Sequence, residues 1–195
     1  MVKNLHLLNQ FVNLSSSLRR QSILNEMTTL KNKGINCHQC SGPCCTFESN
    51  SMQITALEAV DIIQFLNSEN RINADLILDL EENITQFRLN QWSGTGKTNL
   101  RKTYTCPFFE NAIKGCSISR NSKPIGCLAF NPVEPNITNG GSCKSNLSLL
   151  LSRESDFQSS ETEINTKLKQ LLNLYWDKAP IPVALIDVLK ALDKI

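Results

Sequence analysis

Four thiols fall within nine residues in Cys37-His38-Gln39-Cys40-Ser41-Gly42-Pro43-Cys44-Cys45, and four more follow at Cys106, Cys116, Cys127 and Cys143. Cysteines at this density either ligate metal or pair as disulfides. Structural zinc takes four thiolate or imidazole ligands, commonly as two close pairs from separate parts of the chain, and iron–sulfur clusters also take four thiolates. Cys37-x-x-Cys40 is one such pair, and eight cysteines suffice for two four-thiolate sites. Adjacent residues in extended chain point to opposite sides. Cys44 and Cys45 are therefore expected to divide between two sites, or one of them to pack, rather than to serve one metal equally. A vicinal disulfide would be strained. His38 is expected to aim outward from the knuckle as a bystander, and His6 to have no chemical role. With His38 as the one credible base for a thiol nucleophile, Ser–His and Cys–His catalysis have little support. A thioredoxin-like reading of Cys37-x-x-Cys40 lacks the strand-to-helix context it needs.

Composition helps to choose between metal and disulfide. A chain of 195 residues with 41% hydrophobic content can bury a core without cross-links, so the cysteines are not compensating for a core that is too small. Asn9 and Gln10 interrupt the early apolar stretch, and no apolar run approaches the ~18 residues a membrane span needs. The expectation is a cytoplasmic protein in which thiols stay reduced, and this favours metal over disulfide. Asn-x-Ser/Thr triplets at Asn13, Asn83, Asn136 and Asn146 are what an Asn- and Ser-rich chain produces by chance.

The net charge of +2 argues against general nucleic-acid binding, and a nucleic-acid-binding zinc module is disfavoured further by the 6% aromatic content. The charge is unevenly placed. Seven basic residues (Lys97, Arg101, Lys102, Lys114, Arg120, Lys123, Lys144) face two acids between positions 91 and 146, whereas residues 54–90 carry seven acids and two bases. The basic excess coincides with the later cysteines. It can offset the negative charge of a metal–thiolate centre, or it can receive an anionic ligand or partner protein along the 97–144 loops.

The elements that must position these residues are mainly helical. Residues 3 to about 31 read as helix through Leu7, Phe11, Leu14 and Leu18, then Ile23, Met27 and Leu30, with a possible break at Ser15-Ser16-Ser17 and a left-handed cap at Gly34. Thr55-Ala56-Leu57-Glu58 is a capping-box pattern that opens a helix to about Leu66, with Leu57, Val60, Ile63 and Leu66 on one side. A further helix over about 73–91 is expected to bury Leu76, Leu80, Ile84 and Phe87. Gly96-Lys97-Thr98 resembles the end of a phosphate-binding loop, but Gln91 stands where that motif needs a glycine, and a helix precedes it. A flexible turn is the better account, with Lys102 to Thr105 as a strand.

From Tyr104 to Cys143 glycines and prolines punctuate short strands and loops, and metal ligation is a source of order for such a segment. The tail returns to helix. It is expected as one segment from Lys144 to about Arg153 through Leu147, Leu150 and Leu151, and a second starting at Ser159 to Glu163 and burying Ile164, Leu168, Leu171 and Tyr175. Pro180 and Pro182 restart the chain into a last helix through Val183, Ile186 and Leu189. Trp176 reads as a packing residue. The fold class is thus mainly α and a single domain over 1–195. N-terminal helices (1–36) and C-terminal helices (144–195) frame an irregular, short-strand, cysteine-rich metal-binding middle (37–143).

These motifs in this order resemble the YkgJ-type cysteine-cluster family of zinc- or iron-chelating proteins. The quoted pieces are the Cys37-x-x-Cys40 knuckle followed by Cys44-Cys45, the Ile54-Thr55-Ala56-Leu57-Glu58-Ala59 helix start, Cys106-Pro107-Phe108-Phe109, Cys116-Ser117-Ile118, Lys123-Pro124-Ile125-Gly126-Cys127 and Cys143. Lys123 replaces the usual arginine, Ser119 stands where a tyrosine is common, and the Cys116 to Cys127 loop is one residue longer. The cysteine motif is also similar to that of flagellin lysine N-methylase, which implies an enzyme class for some relatives. Cys40-x-x-x-Cys44 is followed at once by Cys45 and so departs from the spacing of radical S-adenosylmethionine enzymes.

The sequence therefore leads to a metal-binding protein whose candidate ligands are Cys37, Cys40, Cys44, Cys45, Cys106, Cys116, Cys127 and Cys143, holding zinc or an iron–sulfur centre. A methylating or redox-active metalloenzyme is the alternative. The nine-residue cluster is expected to be half of a site that the Cys106 to Cys143 loops complete.

Overall fold

The computed structural model describes residues 4–10, 15–35, 42–91, 101–110, 115–135 and 143–194. Among the described residues six α-helices carry the fold: α1 Ser16–Asn32, α2 Ala56–Ser68, α3 Ala74–Gln86, α4 Ile125–Leu128, α5 Leu147–Leu171 and α6 Ile181–Leu192. Two antiparallel pairs supplement them. β1 (Gln53–Ile54) pairs with β4 (Ala179–Pro180), and β2 (Phe130–Pro132) with β3 (Cys143–Ser145). Among the described residues no helix is long and apolar enough to cross a membrane.

Local signals explain most helix ends. Ser15 accepts from the Leu18 N–H and starts α1. At its other end Gly34, at φ +76°, lets the Ile35 and Gly34 N–H groups reach the carbonyls of Leu30 and Lys31. The capping box of α2 is formed: Thr55 accepts from Glu58 N–H, and the Glu58 carboxylate accepts from Thr55 N–H at 3.0 Å. Asn73 caps α3, which stops at Gln86, short of the expected 91, and a 3-10 turn over Leu89–Gln91 follows. Pro180 precedes α6 and Pro182 lies in its first turn, where a missing N–H costs nothing.

α2 is the central element, with Leu57, Val60, Ile63 and Leu66 buried as expected and Ala56, Ala59 and Ile62 buried as well. α6 packs on α2 and α3, and α5 on α2 and α1. β1 and β4 tie the start of α2 to the start of α6, a pairing too short to be read in sequence. Tyr104 locks this junction: its hydroxyl donates to the Met52 carbonyl at 2.6 Å and accepts from the Ile181 N–H at 3.0 Å. No strand forms at 102–105; that segment is extended and bonds to the loop before β1, Tyr104 N–H donating to the Asn50 carbonyl at 2.9 Å.

Three expectations about helix faces are corrected. α5 is one helix of 25 residues, and Ser159 to Glu163 is its interior rather than a second start. Asn146 supplies the cap, and no proline or glycine interrupts 147–171. Leu147 and Leu151 face solvent, as does Tyr175, which lies beyond a left-handed Asn173. On α1 it is Leu18 that is exposed, while Arg19 and Arg20 are fully buried.

Those arginines belong to a charge network between α1, α2 and α5. Arg19 Nη2 donates to both Asp61 carboxylate oxygens at 2.5 Å, and Arg20 Nη2 lies 2.9 Å from Asp61 Oδ2. Arg19 Nη1 also reaches Glu161 Oε1 at 3.2 Å, and Arg153 grips the same carboxylate through both Nη atoms. Burial raises the Glu161 pKa, but the Arg153 hydrogen bond and the charges of Arg153 and Arg19 outweigh it and hold the group below its ordinary value. A depressed carboxylate stabilises the fold above its unfolded pKa and loses that contribution as pH falls through the folded one. Stability measured by urea unfolding is thus expected to fall on acidification below about pH 4.3, and the fall to be shallower in Glu161→Gln; equal slopes would remove Glu161 from the acid response.

Candidate metal centre

The cysteine-bearing segments are placed by the helical frame. Cys44 and Cys45 lie on a 3-10 turn over Pro43–Cys45 that follows a left-handed Gly42. A Cβ at Gly42 would stand 2.6 Å from Phe109 Cε2, so both the positive φ and the ring demand glycine. The 3-10 geometry removes the premise that the vicinal pair sits in extended chain. The two side chains are close enough for one thiol to hydrogen-bond the other.

The next cysteine segment is joined to this turn directly, Cys106 N–H donating to the Cys45 carbonyl at 2.7 Å. Around it, Phe47 N–H donates to Thr105 Oγ1 at 3.1 Å, Asn50 Nδ2 to the Tyr104 carbonyl at 3.0 Å, and Asn83 Nδ2 of α3 to the Thr105 carbonyl at 2.9 Å. Beside Cys116, Arg71 donates to the Ser117 carbonyl at 2.7 Å and to its hydroxyl at 2.9 Å. Cys127 lies on α4, its N–H donating to the Pro124 carbonyl at 3.0 Å. Cys143 lies on β3, opposite Pro132.

Cys106 comes within electrostatic range of Cys44, Cys45, Cys116 and Cys127, and Lys123 within range of Cys44, Cys106 and Cys127. The hydrogen bond from Cys45 lowers the Cys44 pKa to about 7, against the effect of burial, and Lys123 assists. Cys45 moves up, through the same bond and through burial. Burial pushes Cys106 up to about 12 and Cys127 well above the usual thiol value, with Lys123 pulling both down. Cys44, Cys45, Cys106, Cys116 and Cys127 are free thiols. Among the described residues no group of three or more His, Cys, Asp or Glu side chains is placed to hold a metal ion. Cys37, His38 and Cys40 lie outside the described residues, as do Lys97 and the glycine turn at 93–98. His6 is exposed on a 3-10 turn over Leu5–Gln10.

Several residues that build this site carry no motif. Tyr104, Asn50, Asn83 and Arg71 read as strand, loop and helix-surface residues, yet each holds a cysteine segment. Only Tyr104 stands close to a cysteine in the sequence, and the segments that Arg71 and Asn83 hold lie far along the chain. Fold and site together define the class: a mainly helical frame whose described thiols are carried on a 3-10 turn, a one-turn helix, a short strand and loops. No protein-family model, curated protein or solved structure matches the chain.

Proposed function

We propose that the protein binds a metal, as zinc or an iron–sulfur centre, through ligands drawn from Cys37, Cys40, Cys44, Cys45, Cys106, Cys116, Cys127 and Cys143. The observation that supports this reading is that Cys106 has Cys44, Cys45, Cys116 and Cys127, from three other segments, within electrostatic range. Burial disfavours the thiolate at Cys106 and Cys127, and a bound cation is the agent that reverses such a preference. The buried core is built of aliphatic and aromatic side chains, with Cys106 and Cys116 only packed against it, so the fold does not need the cysteines as cross-links. The ordered motifs that resemble YkgJ-type chelating proteins support the same reading, and it belongs in a reducing cytoplasm where thiols stay available.

Lys123 turns its charge on the cysteines, which supports compensation of a thiolate centre over capture of an anionic ligand or partner at this point of the basic loops. A redox role is the second reading, favoured by Cys44, whose lowered pKa and partial exposure are those of a reactive thiol.

Purification under nitrogen followed by metal analysis and a visible spectrum tests the proposal. A brown, iron- and sulfide-containing protein or a colourless zinc protein is expected. A well-folded protein free of metal, with its cysteines paired as disulfides, overturns it.

A further inference from the structure

We infer that Arg20 and Glu58 are positioning residues for the cysteine centre, holding Lys123 and Cys127 in place from the helical frame. The inference rests on the metal-centre reading for its purpose, but the clamp itself is a property of the metal-free chain.

The segment Lys123-Pro124-Ile125-Gly126-Cys127 is ordered locally by short-range turn bonds only, such as Lys123 N–H to the Ser119 carbonyl at 2.9 Å and Cys127 N–H to the Pro124 carbonyl at 3.0 Å. Pro124 contributes no N–H, it stands at the cap position of α4 without a capping side chain, and α4 is only four residues long. Two buried charged side chains supply what is missing. Arg20 of α1 donates from Nε to the Lys123 carbonyl at 2.7 Å, and Glu58 of α2 accepts from the Ile125 N–H at its Oε1, at 2.9 Å. Both are almost fully buried, Arg20 at 0% and Glu58 at 8% exposure. Each is fixed in turn by its own helix and neighbours. Glu58 Oε2 is held in the capping box, and the Arg20 guanidinium faces Asp61 and donates to the Ser16 carbonyl at 3.0 Å.

The peptide on either side of Pro124 is thus gripped by one cation and one anion. What it carries is the lysine whose charge acts on Cys44, Cys106 and Cys127, and Cys127 itself two residues beyond Ile125. Ligand-orienting contacts of this kind, one layer out from a metal, are what fix the geometry of the ligands themselves.

Arg19 provides the control. It is as buried as Arg20 and pairs with the same Asp61, but its side-chain bonds run to Asp61 and Glu161 and to no cysteine segment. In the reduced, metal-free full chain, residue-resolved alkylation of Cys127 by iodoacetamide is expected to rise about tenfold in Arg20→Met, the effect of one lost buried hydrogen bond. The same rise is expected in Glu58→Met, and no such rise in Arg19→Met at comparable urea stability. Arg20→Lys, which keeps a charge and a donor, is expected to restore much of the protection. Zinc affinity measured by chelator competition is expected to drop by about 10–100-fold in Arg20→Met and less in Arg19→Met. Equal Cys127 reactivity in Arg19→Met and Arg20→Met, or an unchanged Cys127 in both Arg20→Met and Glu58→Met, overturns the clamp. A wild-type chain that takes no metal while Cys127 responds as described overturns the proposed function and leaves the clamp standing.

Discussion

Replacing Asp61 by leucine is expected to lower the unfolding free energy by about 3–5 kcal/mol, the cost of removing one partner from a buried ion pair. Asp61 is 2% exposed and stands between Arg19 and Arg20, both fully buried. Burial raises its pKa in spite of the two guanidinium groups, and burial likewise lowers that of Arg20 in spite of Asp61. Desolvation therefore takes back most of what the pairing contributes. The large penalty arises because leucine would leave the buried Arg20 without its ion-pair partner and Arg19 with Glu161 alone, at the meeting of α1, α2 and α5. Domains of this kind are stable by about 5–15 kcal/mol, so the loss is a large share of the total. Urea unfolding followed by circular dichroism measures it. A loss below about 1 kcal/mol would mean that the arginines find water. Replacing Arg19, Arg20 and Asp61 together by apolar residues is expected to recover a large part of the loss, since no charge at this position is then left alone.

The second large effect belongs to Trp176. Its ring is fully buried in the cluster formed by α2, α5 and α6, and its Nε1–H donates to Asp187 Oδ2 of α6 at 2.9 Å. Trp176→Ala is expected to cost about 3–5 kcal/mol through lost burial and the cavity left behind. Trp176→Phe keeps most of the packing and gives up the hydrogen bond, for about 1 kcal/mol. Thermal and urea unfolding of the pair separate the two contributions. If both variants lose the same amount, the hydrogen bond and not the packing fixes the residue.

How much of this was legible in the sequence depended on how far apart the interacting groups lie. Thr55 with Glu58 and Gly34 with its helix act within one turn, and both were readable from residue type and spacing. Trp176 as a packing residue followed from size and apolarity. α5 was read as two helices because Glu161 and Glu163 resemble acids at a helix start. Glu161 instead answers Arg153, two turns earlier, and Arg19 of α1. Arg19 and Arg20 carry no sign of their burial in the sequence, since nothing within one helix reveals that a carboxylate on another will meet them. The cysteines were legible as a set and not as an arrangement. Chain spacing suggested opposite directions for Cys44 and Cys45, whereas the 3-10 turn brings the two thiols together.

The expectation that metal is the source of order in the middle of the chain also needs adjusting. Asn50 and Asn83 hold the segment of Cys106, Arg71 that of Cys116, and Arg20 with Glu58 that of Cys127. Frame side chains supply order there of their own, and a preorganised ligand set gives up less entropy when an ion arrives.

The β1–β4 pair has a consequence for the order in which the molecule can be made. Most of the chain separates Ile54 from Ala179, and α6, which follows β4 directly, covers α2 and α3. During synthesis every cysteine leaves the ribosome before α6, so for that interval α2 lacks its cover and the Tyr104 hydroxyl lacks the Ile181 N–H. Contacts of such sequence separation close late and slowly. The thiols therefore meet the surrounding medium in a chain that has not yet closed, and that interval is when they are most open to oxidation or to the metal proposed for them.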